Sequence, residues 1–388
     1  MDDRLLYILV VFAMAIGWLL RGDQRLKRSE ILGPNYYDAV NHLLNEDSDR
    51  AVAAFIEELK VNPDTLETHL ALGGLMRRQG EFEKAVIVHE NILANSRLER
   101  EVILNVQLEL ARDYLLAGLL DRAEQLSVKL SGEKGQVLEQ SRKIMLEVYE
   151  TEKEWEQAIA VGQQLAHGDN TEKYEKAISH YYCEIACASM EIKNFDTARY
   201  AISEAVGHYA NNARATLVHG KIDLAEGKYQ EAISILTRIR DQETVYVPES
   251  LKSLSLAYSK AGLPMDGLCQ YLESCLEIIP SISIALALAT LKRDQMGDEA
   301  MAKYIADYLK RNPTIRGLTQ LIDLHIDNTR GIAKQNLTIL RSFAEALVAD
   351  KPAYQCQACG FQLKRMAWRC PSCKDWSTVK PIFGLEGE

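Results

Sequence analysis

Apolar residues along this chain recur with the spacing of helices rather than of strands. From residue 36 to about 349 one helical segment follows another, prolines are few, and no run alternates convincingly between apolar and polar positions. A small residue is followed twelve positions later by alanine, as at Gly73 and Ala85 or at Gly220 and Ala232. A glycine usually stands five positions before that alanine, where it can close the first helix. The pattern therefore predicts pairs of helices joined by tight turns.

The small residues also repeat along the chain with a nearly constant period. They are Ala51, Ala85, Ala123, Ala158, Ala198, Ala232 and Gly267, continued by Ala300, with spacings of 34, 38, 35, 40, 34, 35 and 33 residues. This pattern resembles the tetratricopeptide (TPR) repeat, an antiparallel helix pair of about 34 residues. The resemblance implies an all-α fold, a TPR-like helical solenoid of about eight helix pairs over residues 35–349, with a long concave surface. A helical bundle with coincidental alanines is the alternative, and the regular spacing argues against it.

A run of sixteen uncharged residues, 5–20, lies near the amino terminus. As a helix it would be about 24 Å long, somewhat less than a hydrocarbon core of about 30 Å, so residues 1–21 are predicted to form one transmembrane helix with local thinning of the bilayer. The acidic start argues against a signal peptide, the basic residues that follow argue against a buried helix, and the lack of a polar face argues against an interfacial helix. Residues 22–34 form a basic juxtamembrane linker, so the positive-inside rule places the rest of the chain in the cytoplasm.

Two CxxC pairs stand out in residues 350–388. They are formed by Cys356, Cys359, Cys370 and Cys373, with ten residues between the pairs. Each CxxC turn can direct two thiolates at one point, so two turns complete a tetrahedral sulfur shell around one structural metal ion, zinc or iron. Four free or disulfide-bonded cysteines are the alternative. Cys183 and Cys187, four apart on one helix face, could hold half a metal site, but we expect them to line the core or groove in a reducing compartment.

Net charge and motif content argue against several functions. The formal net charge of -10 disfavours broad nucleic-acid binding by the bulk of the chain. A zinc ribbon that binds nucleic acid through the basic residues of 364–374 is the least favoured alternative, and Trp368 and Trp376 are expected to form the small core of the metal domain instead. No HExxH cluster, phosphate-binding glycine loop, nucleophile elbow or dinucleotide fingerprint occurs, so the chain is not expected to be an enzyme.

The combination of a membrane span, a TPR-like array and a four-cysteine tail resembles the lipopolysaccharide assembly protein B family of Gram-negative bacteria. The resemblance covers essentially the whole chain and is most specific in the tail, where Cys359-Gly360 matches a rubredoxin-type knuckle. It implies that residues 350–388 form a rubredoxin-type metal-binding domain that packs against the array. Lys374 replaces the glycine usual in the second knuckle, which leaves the identity of the metal open, with zinc favoured over iron.

The family resemblance also implies a function. Its members are adaptors at the bacterial inner membrane, which help to deliver the deacetylase that commits precursor to lipid A synthesis, a UDP-acyl-GlcNAc deacetylase, to the membrane protease FtsH. An inner-membrane regulator that senses lipopolysaccharide is expected to oppose them. A membrane scaffold that gathers biosynthetic enzymes without proteolysis is the alternative. The sequence leaves open whether the chain forms a homodimer.

The TPR resemblance further implies where a partner would bind. In that family the first helix of each pair lines the inner face, which typically grips a peptide or a partner protein. This register places four candidate partner-binding cations on that face, namely Arg77, Arg78, Arg112 and Lys221. Their charged groups could pair with acidic groups of a ligand. The alternative is that they are solvated surface charges.

Overall fold

The computed structural model describes residues 65–94 and 98–387. The predicted transmembrane helix over residues 1–21, the linker over residues 22–34 and the first repeat with Ala51 lie outside these residues. Within the described part of the chain, no helix combines the length and the apolar character that crossing a membrane requires. The membrane span therefore stays a prediction.

The described residues belong to two compact units, one that ends at Glu154 and one that begins at Trp155. The helices of the first unit are α1 (Leu66–Arg78), α2 (Phe82–Leu93), α3 (Arg100–Leu116), α4 (Leu120–Leu130) and α5 (Gln136–Glu152). The helices of the second unit are α6 (Trp155–Leu165), α7 (Thr171–Glu191), α8 (Phe195–His208), α9 (Ala213–Ala225), α10 (Tyr229–Leu236), α11 (Ile239–Glu243), α12 (Val247–Ala261), α13 (Asp266–Leu276), α14 (Ile282–Arg311), α15 (Ile315–Asp327) and α16 (Ile332–Val348). The second unit ends with β1 (Tyr354–Cys356), β2 (Gln362–Leu363) and β3 (Val379–Pro381).

Glycines let the two helices of a pair approach closely, as the repeat pattern predicts. A Cβ atom at Gly73 would lie 2.5 Å from the imidazole of His89 on the second helix of its pair. A Cβ atom at Gly220 would likewise lie 2.5 Å from Leu236. Gly80 follows α1 with a φ of 84°, a backbone conformation that glycine adopts without a steric penalty. Close approach and chain reversal are thus both encoded in the repeat.

The alanines that set the period lie in the interior of the helix pairs. Those from position 85 to 232 have no exposed surface, namely Ala85, Ala123, Ala158, Ala198 and Ala232. Further along, Ala300 is half-buried in α14, which Gly297 interrupts with a φ of 74°. Because of this break α14 is two helices, and the pairing continues into α15 and α16. The prediction of an all-α, TPR-like array is confirmed.

Buried polar groups connect neighbouring repeats of the first unit. The fully buried carboxylate of Asp113 on α3 accepts a hydrogen bond from His89 Nδ1 on α2 and lies 3.4 Å from Arg77 Nε on α1. Tyr114 OH on α3 donates to Glu90 Oε1 on α2 at 2.6 Å. Since a buried polar group without a partner is costly, these contacts favour a single arrangement of the helices.

The tail folds as a three-stranded antiparallel sheet in the strand order β2-β1-β3. Tyr354 of the central strand lies opposite Leu363 of β2 and opposite Pro381 of β3. The buried core of this small domain is formed by Cys356, Cys370 and Val379. Two of the four predicted metal ligands are therefore also core residues of the tail.

Candidate metal site and its interface with the helices

The four tail cysteines converge on one point. Their sulfur atoms all lie within 4.8 Å of one another, and the sulfur atoms of Cys356 and Cys373, and of Cys359 and Cys370, are 3.7 Å apart. Sulfur atoms that surround a tetrahedral ion at a bond length of about 2.3 Å are roughly 3.8 Å from one another. The spacing therefore fits one structural metal ion, and four protein ligands complete its coordination shell.

Two equivalent turns of positive φ shape the cysteine pairs. The N–H of Gly360 (φ 77°) donates to the carbonyl of Cys356 at 2.9 Å, and the N–H of Lys374 (φ 64°) donates to that of Cys370 at 3.0 Å. A lysine in the left-handed region costs on the order of 1 kcal/mol relative to glycine. Here Lys374 Nζ donates to the carbonyl of Pro371 at 2.8 Å, so the turn is retained without glycine.

The site favours a thiolate at Cys356. Burial opposes ionisation of this thiol, but hydrogen bonds from Thr378 and from the backbone of Cys359 and Ala358 outweigh it and lower the pKa of Cys356 to about 6. Burial and the neighbouring cysteine sulfurs raise the pKa of Cys373 to about 12. Four sulfurs this close cannot all be anionic unless a cation lies between them. A bound metal ion removes that conflict.

Thr378 supports the site from outside the CxxC turns, where the spacing of the cysteines could not reveal it. Its Oγ1 lies 3.3 Å from Cys356 Sγ and 3.3 Å from the carbonyl oxygen of Asp375. A metal-bound thiolate can only accept a hydrogen bond, so the hydroxyl must then be the donor to sulfur. Such a donor orients the ligand and adjusts its basicity.

Replacing Thr378 with valine is therefore expected to weaken metal binding by about 10- to 100-fold. Thr378→Ser keeps the hydroxyl and is expected to retain most of the affinity. Competition with a chromophoric chelator measures the dissociation constant, and Thr338→Val on the exposed surface of α16 is the control. Equal affinities of the wild type and Thr378→Val would mean that the hydroxyl does not support the metal.

Trp376 fixes the tail on the helices of the second unit. Its indole stacks on the imidazole of His180, with ring centres 4.9 Å apart and an angle of 14° between the planes. Tyr181 and Trp155 meet the indole edge-on at 5.8 and 6.5 Å. The guanidinium carbon of Arg214 lies 5.9 Å from the centre of the indole. Aromatic packing and a cation–π contact thus hold the same side chain.

The prediction that Trp368 and Trp376 form the core of the metal domain is wrong. Trp376 is buried by the helices, and Trp368 packs on Tyr246 with ring centres 4.9 Å apart. A domain this small has little interior, so its large side chains lose more water-exposed surface against a neighbour than inside the domain. Two tryptophans in a tail too small to enclose them are the sequence signal that could have indicated this interface.

Polar contacts complete the attachment of the tail. Tyr246 OH donates to the carbonyl oxygen of Val379 at 3.0 Å, and Lys380 Nζ pairs with the carboxylate of Glu243. We call the surface the tail–helix interface, formed by residues 368–380 of the tail and by His180, Arg214, Glu243 and Tyr246 of the helices. The packing of the metal domain on the array, which the family resemblance implies, is thus present within the second unit.

His180 is a buried titratable group of the tail–helix interface. Its Nε2 lies 2.6 Å from Ser377 Oγ. Burial, followed by the positive charges of Arg214 and Lys176, lowers the pKa of His180 well below 6.5. The unfolded chain therefore binds this proton more readily than the folded protein does. Stability from the neutral imidazole is fully present above about pH 6.5 and is lost as the pH falls toward the folded-state pKa.

Below about pH 6.5 the wild type is therefore expected to lose about 1.4 kcal/mol per pH unit more than a His180→Gln variant. Glutamine can still hydrogen-bond to Ser377, but it does not titrate. Urea denaturation of both proteins at about pH 7.5 and 5.5 measures the difference. Protonation of the metal-binding thiols acts on both proteins alike, so an identical loss in the two would contradict the role of His180.

The four predicted partner-binding cations have different surroundings. In the first unit, Arg77 and Arg112 both bond to the carboxylate of Glu109, whereas Arg78 is exposed. In the second unit, Lys221 is exposed. Arg77 and Arg112 therefore help to hold their own helices in place, while Arg78 and Lys221 present their charges to solvent. A contact of any of the four with a partner stays a prediction.

The cysteines outside the tail belong to the helical interior. Cys183 is fully buried, and Cys187 is half-buried against the same apolar cluster. Burial raises the pKa of the Cys183 thiol to about 12, so it stays protonated at neutral pH. Among residues 65–94 and 98–387, only the tail cysteines form a cluster of three or more metal-ligand groups. These observations agree with a packing role for Cys183 and Cys187.

Comparisons with known proteins find relatives of the whole chain and a family model that matches its tail. Residues 354–381 match the family model described as a rubredoxin metal binding domain. Over 390 residues the chain is 34% identical to lipopolysaccharide assembly protein B of Escherichia coli (strain K12), covering 99% of both chains. It is 28% identical over 397 residues to the protein of that name from Haemophilus influenzae, again over 99% of both. A tetratricopeptide repeat protein from Parabacteroides merdae aligns with 67% of this chain and 98% of its own at 14% identity, but its TM-score of 0.35 is too low to support a conclusion.

Proposed function

The chain belongs to the lipopolysaccharide assembly protein B family, and on this premise we propose that it is a non-enzymatic adaptor of lipopolysaccharide assembly. It is anchored in the bacterial inner membrane by residues 1–21, and the bulk of the chain faces the cytoplasm. It binds the UDP-acyl-GlcNAc deacetylase that commits precursor to lipid A and promotes its degradation by the membrane protease FtsH. An inner-membrane regulator that senses lipopolysaccharide opposes this activity.

The tail–helix interface is the observation that carries this proposal. The metal site has four protein ligands, which leave no coordination position for a substrate, so its role is structural. Trp376 contacts both His180 and Arg214 and is almost fully buried, which attaches the metal domain to the helices. Repeat arrays of this kind offer extended surfaces for protein ligands. A rigid surface without a reactive centre suits a protein that holds another protein.

The membrane anchor gives the adaptor its place of action. Residues 5–20 carry no charge, and their length is close to that of a bilayer core. Anchoring beside a membrane protease raises the local concentration of whatever the helices bind. The adaptor thereby promotes degradation of the deacetylase without catalysing a reaction itself.

We assign zinc rather than iron to the four-cysteine site. Zinc has no redox chemistry and prefers closed tetrahedral sulfur sites of this type, and the rubredoxin-type glycine is replaced by Lys374. Elemental analysis of the protein purified without added metal should find one zinc ion per chain. A red protein that contains iron in a one-to-one ratio would overturn this assignment.

The lifetime of the deacetylase in cells tests the proposed function directly. After translation is stopped, the deacetylase is expected to persist longer in cells depleted of this protein than in cells that contain it. An unchanged lifetime, together with co-purification of several biosynthetic enzymes, would reject the proteolytic adaptor in favour of a membrane scaffold.

Charge reversals on the helices can locate the bound partner. Arg78→Glu and Lys221→Glu change exposed side chains on first helices of their pairs, and Lys129→Glu on the second helix α4 is the matched exposed control. We expect the first two to lengthen the lifetime of the deacetylase and the control to leave it unchanged. Arg77 and Arg112 are poor choices, since their loss would also disturb the ion pairs with Glu109.

A further inference from the structure

One of the four metal-ligand cysteines lies at the surface of the tail. All eight cysteines of the chain belong to the residues that the structure describes, and Cys359 alone among them is exposed. The other three ligands of its site are the half-buried Cys373 and the buried Cys356 and Cys370. Because the oxidation of a cysteine depends on its thiolate character and its exposure, an oxidant dissolved in water meets Cys359 first.

The cysteines of the helices are protected from the same oxidant. Three of them are buried and one is half-buried, and burial raises the pKa of each thiol, namely Cys183, Cys187, Cys269 and Cys275. A protonated thiol reacts poorly, since the thiolate is the nucleophile. A cysteine that binds a metal ion is already deprotonated. Exposure and ionisation therefore coincide at Cys359.

The sulfur atom of Cys359 has a second thiolate within reach. Cys370 Sγ, which belongs to the other CxxC turn, lies 3.7 Å from it. The sulfur atoms of Cys356 and Cys373 form a second pair across the two turns at the same distance, and Cys356 Sγ also contacts the hydroxyl of Thr378 at 3.3 Å. A disulfide requires sulfur atoms about 2.05 Å apart, so a small movement of the exposed turn lets Cys359 bond to Cys370.

We propose that the metal site is also a site of reversible oxidation, in which a hydroperoxide oxidises Cys359, Cys370 closes a disulfide with it, and the metal ion and the tail are released. First, the thiolate of Cys359 attacks a peroxide oxygen, the O–O bond breaks, and a sulfenic acid and hydroxide form. Next, the thiolate of Cys370 attacks the sulfenic sulfur and displaces a second hydroxide. Two electrons pass from the two sulfur atoms to the peroxide, and two protons from water convert the hydroxides to water. The inference goes beyond the adaptor function and does not depend on which protein the helices bind.

The turn that contains Cys370 also positions Trp376 in the tail–helix interface. The N–H of Cys370 donates to the carbonyl oxygen of Asp375 at 2.9 Å, and Asp375 directly precedes Trp376 in the chain. After oxidation only Cys356 and Cys373 remain as thiolates, which are too few for a structural site of four ligands. The turn then loses the metal ion that holds it in shape, so the indole leaves the interface. Oxidation at the surface is thereby coupled to the attachment of the tail.

Treatment of the zinc-loaded full-length protein in detergent with hydrogen peroxide tests the proposal. A chromophoric chelator measures zinc release, peptide mass spectrometry without reduction identifies the disulfide, and tryptophan fluorescence reports exposure of Trp376. We expect complete loss of the bound zinc, a disulfide between Cys359 and Cys370, and a fluorescence shift that accompanies the loss of zinc. Dithiothreitol with added zinc should restore the metal content and the fluorescence, because thiol–disulfide exchange is reversible.

Two variants with the same set of donor atoms separate Cys359 from the rest of the site. Three cysteines and one histidine form a common structural zinc site, and histidine does not form a disulfide. Cys359→His is expected to release zinc at least about tenfold more slowly than the wild type, because the remaining thiolates are less exposed. Cys373→His keeps the pair of Cys359 and Cys370 and should release zinc as the wild type does. Cys187→Ser is the control for the helical thiols and should also behave like the wild type.

Several outcomes would overturn the proposal. These are retention of zinc in peroxide, a disulfide between other cysteines, oxidation of Cys359 to a sulfinic acid without a disulfide, and zinc loss that leaves the tryptophan fluorescence unchanged. Zinc release from Cys359→His as fast as from the wild type would overturn it as well. If a histidine variant fails to bind zinc, the disulfide found in the wild type decides the question. The lifetime of the deacetylase is measured separately, so failure of this inference and failure of the adaptor function are distinguishable.

Discussion

Cys356→Ser is expected to release the metal ion and to detach the tail from the helices, while most of the helical content remains. Structural zinc contributes roughly 10–16 kcal/mol to the folding of small metal domains, and serine is a poor replacement for a thiolate ligand. The tail has little other core, since two of its three buried core residues are themselves cysteine ligands. The helices depend mainly on their neighbours in the array and should survive.

Three measurements separate these effects. Elemental analysis reports metal loss, tryptophan fluorescence reports exposure of Trp368 and Trp376, and far-ultraviolet circular dichroism reports helix content. Cys187→Ser, at a half-buried cysteine outside the site, should leave the metal content unchanged. Complete loss of helix in Cys356→Ser would instead mean that the tail and the helices of the second unit fold as one cooperative unit.

Asp113→Ala is expected to destabilise the first unit by about 3–5 kcal/mol, the cost of removing one partner from a buried polar network. The carboxylate of Asp113 is completely buried, and it accepts a hydrogen bond from His89. In the variant, His89 Nδ1 on α2 would lose its partner in a site without access to water. The guanidinium of Arg77 would also lose the carboxylate oxygen that lies 3.4 Å from its Nε.

Amide hydrogen exchange of α1 to α3 measures this effect where it arises, and urea denaturation gives its size. Amide exchange of individual helices is more informative than the midpoint of one denaturation curve for the whole protein, because an array of repeats need not unfold in one step. Asp121→Ala on the exposed surface of α4 is the matched control, and its effect should stay within about 0.5 kcal/mol. Similar exchange rates in the two variants would show that the buried network contributes little.

Features that depend on neighbours in sequence could be predicted without the structure. A CxxC turn places two sulfur atoms within a few residues of each other, so the spacing alone indicated a metal site. Gly80 ends a helix because of its own backbone freedom, and Gly73 faces its partner helix at a fixed distance along the repeat. Each of these properties depends on a handful of consecutive residues or on a strict period.

Features that depend on distant segments could not be predicted in this way. The register of Arg77 predicts a partner-binding face, and only the structure shows that this side chain pairs with Glu109, a carboxylate 32 residues away. The small size of the tail predicts that its tryptophans face inward, but Trp376 lies against His180, a residue 196 positions earlier in the chain. Periodicity tells which face of a helix a residue occupies and not which side chain it meets there.

The sequence by itself therefore determined the helical repeat and the four-cysteine site, because helix periodicity and CxxC turns are local properties of the chain. It also determined the family, because the identity to relatives extends over the whole length. Only the tertiary structure decided which groups are paired, which surfaces are covered and which are left open. It placed Trp376 in the tail–helix interface and left Arg78 and Lys221 exposed. Burial is decided by contacts between segments far apart in the chain, and no local pattern contains the free energy of those contacts.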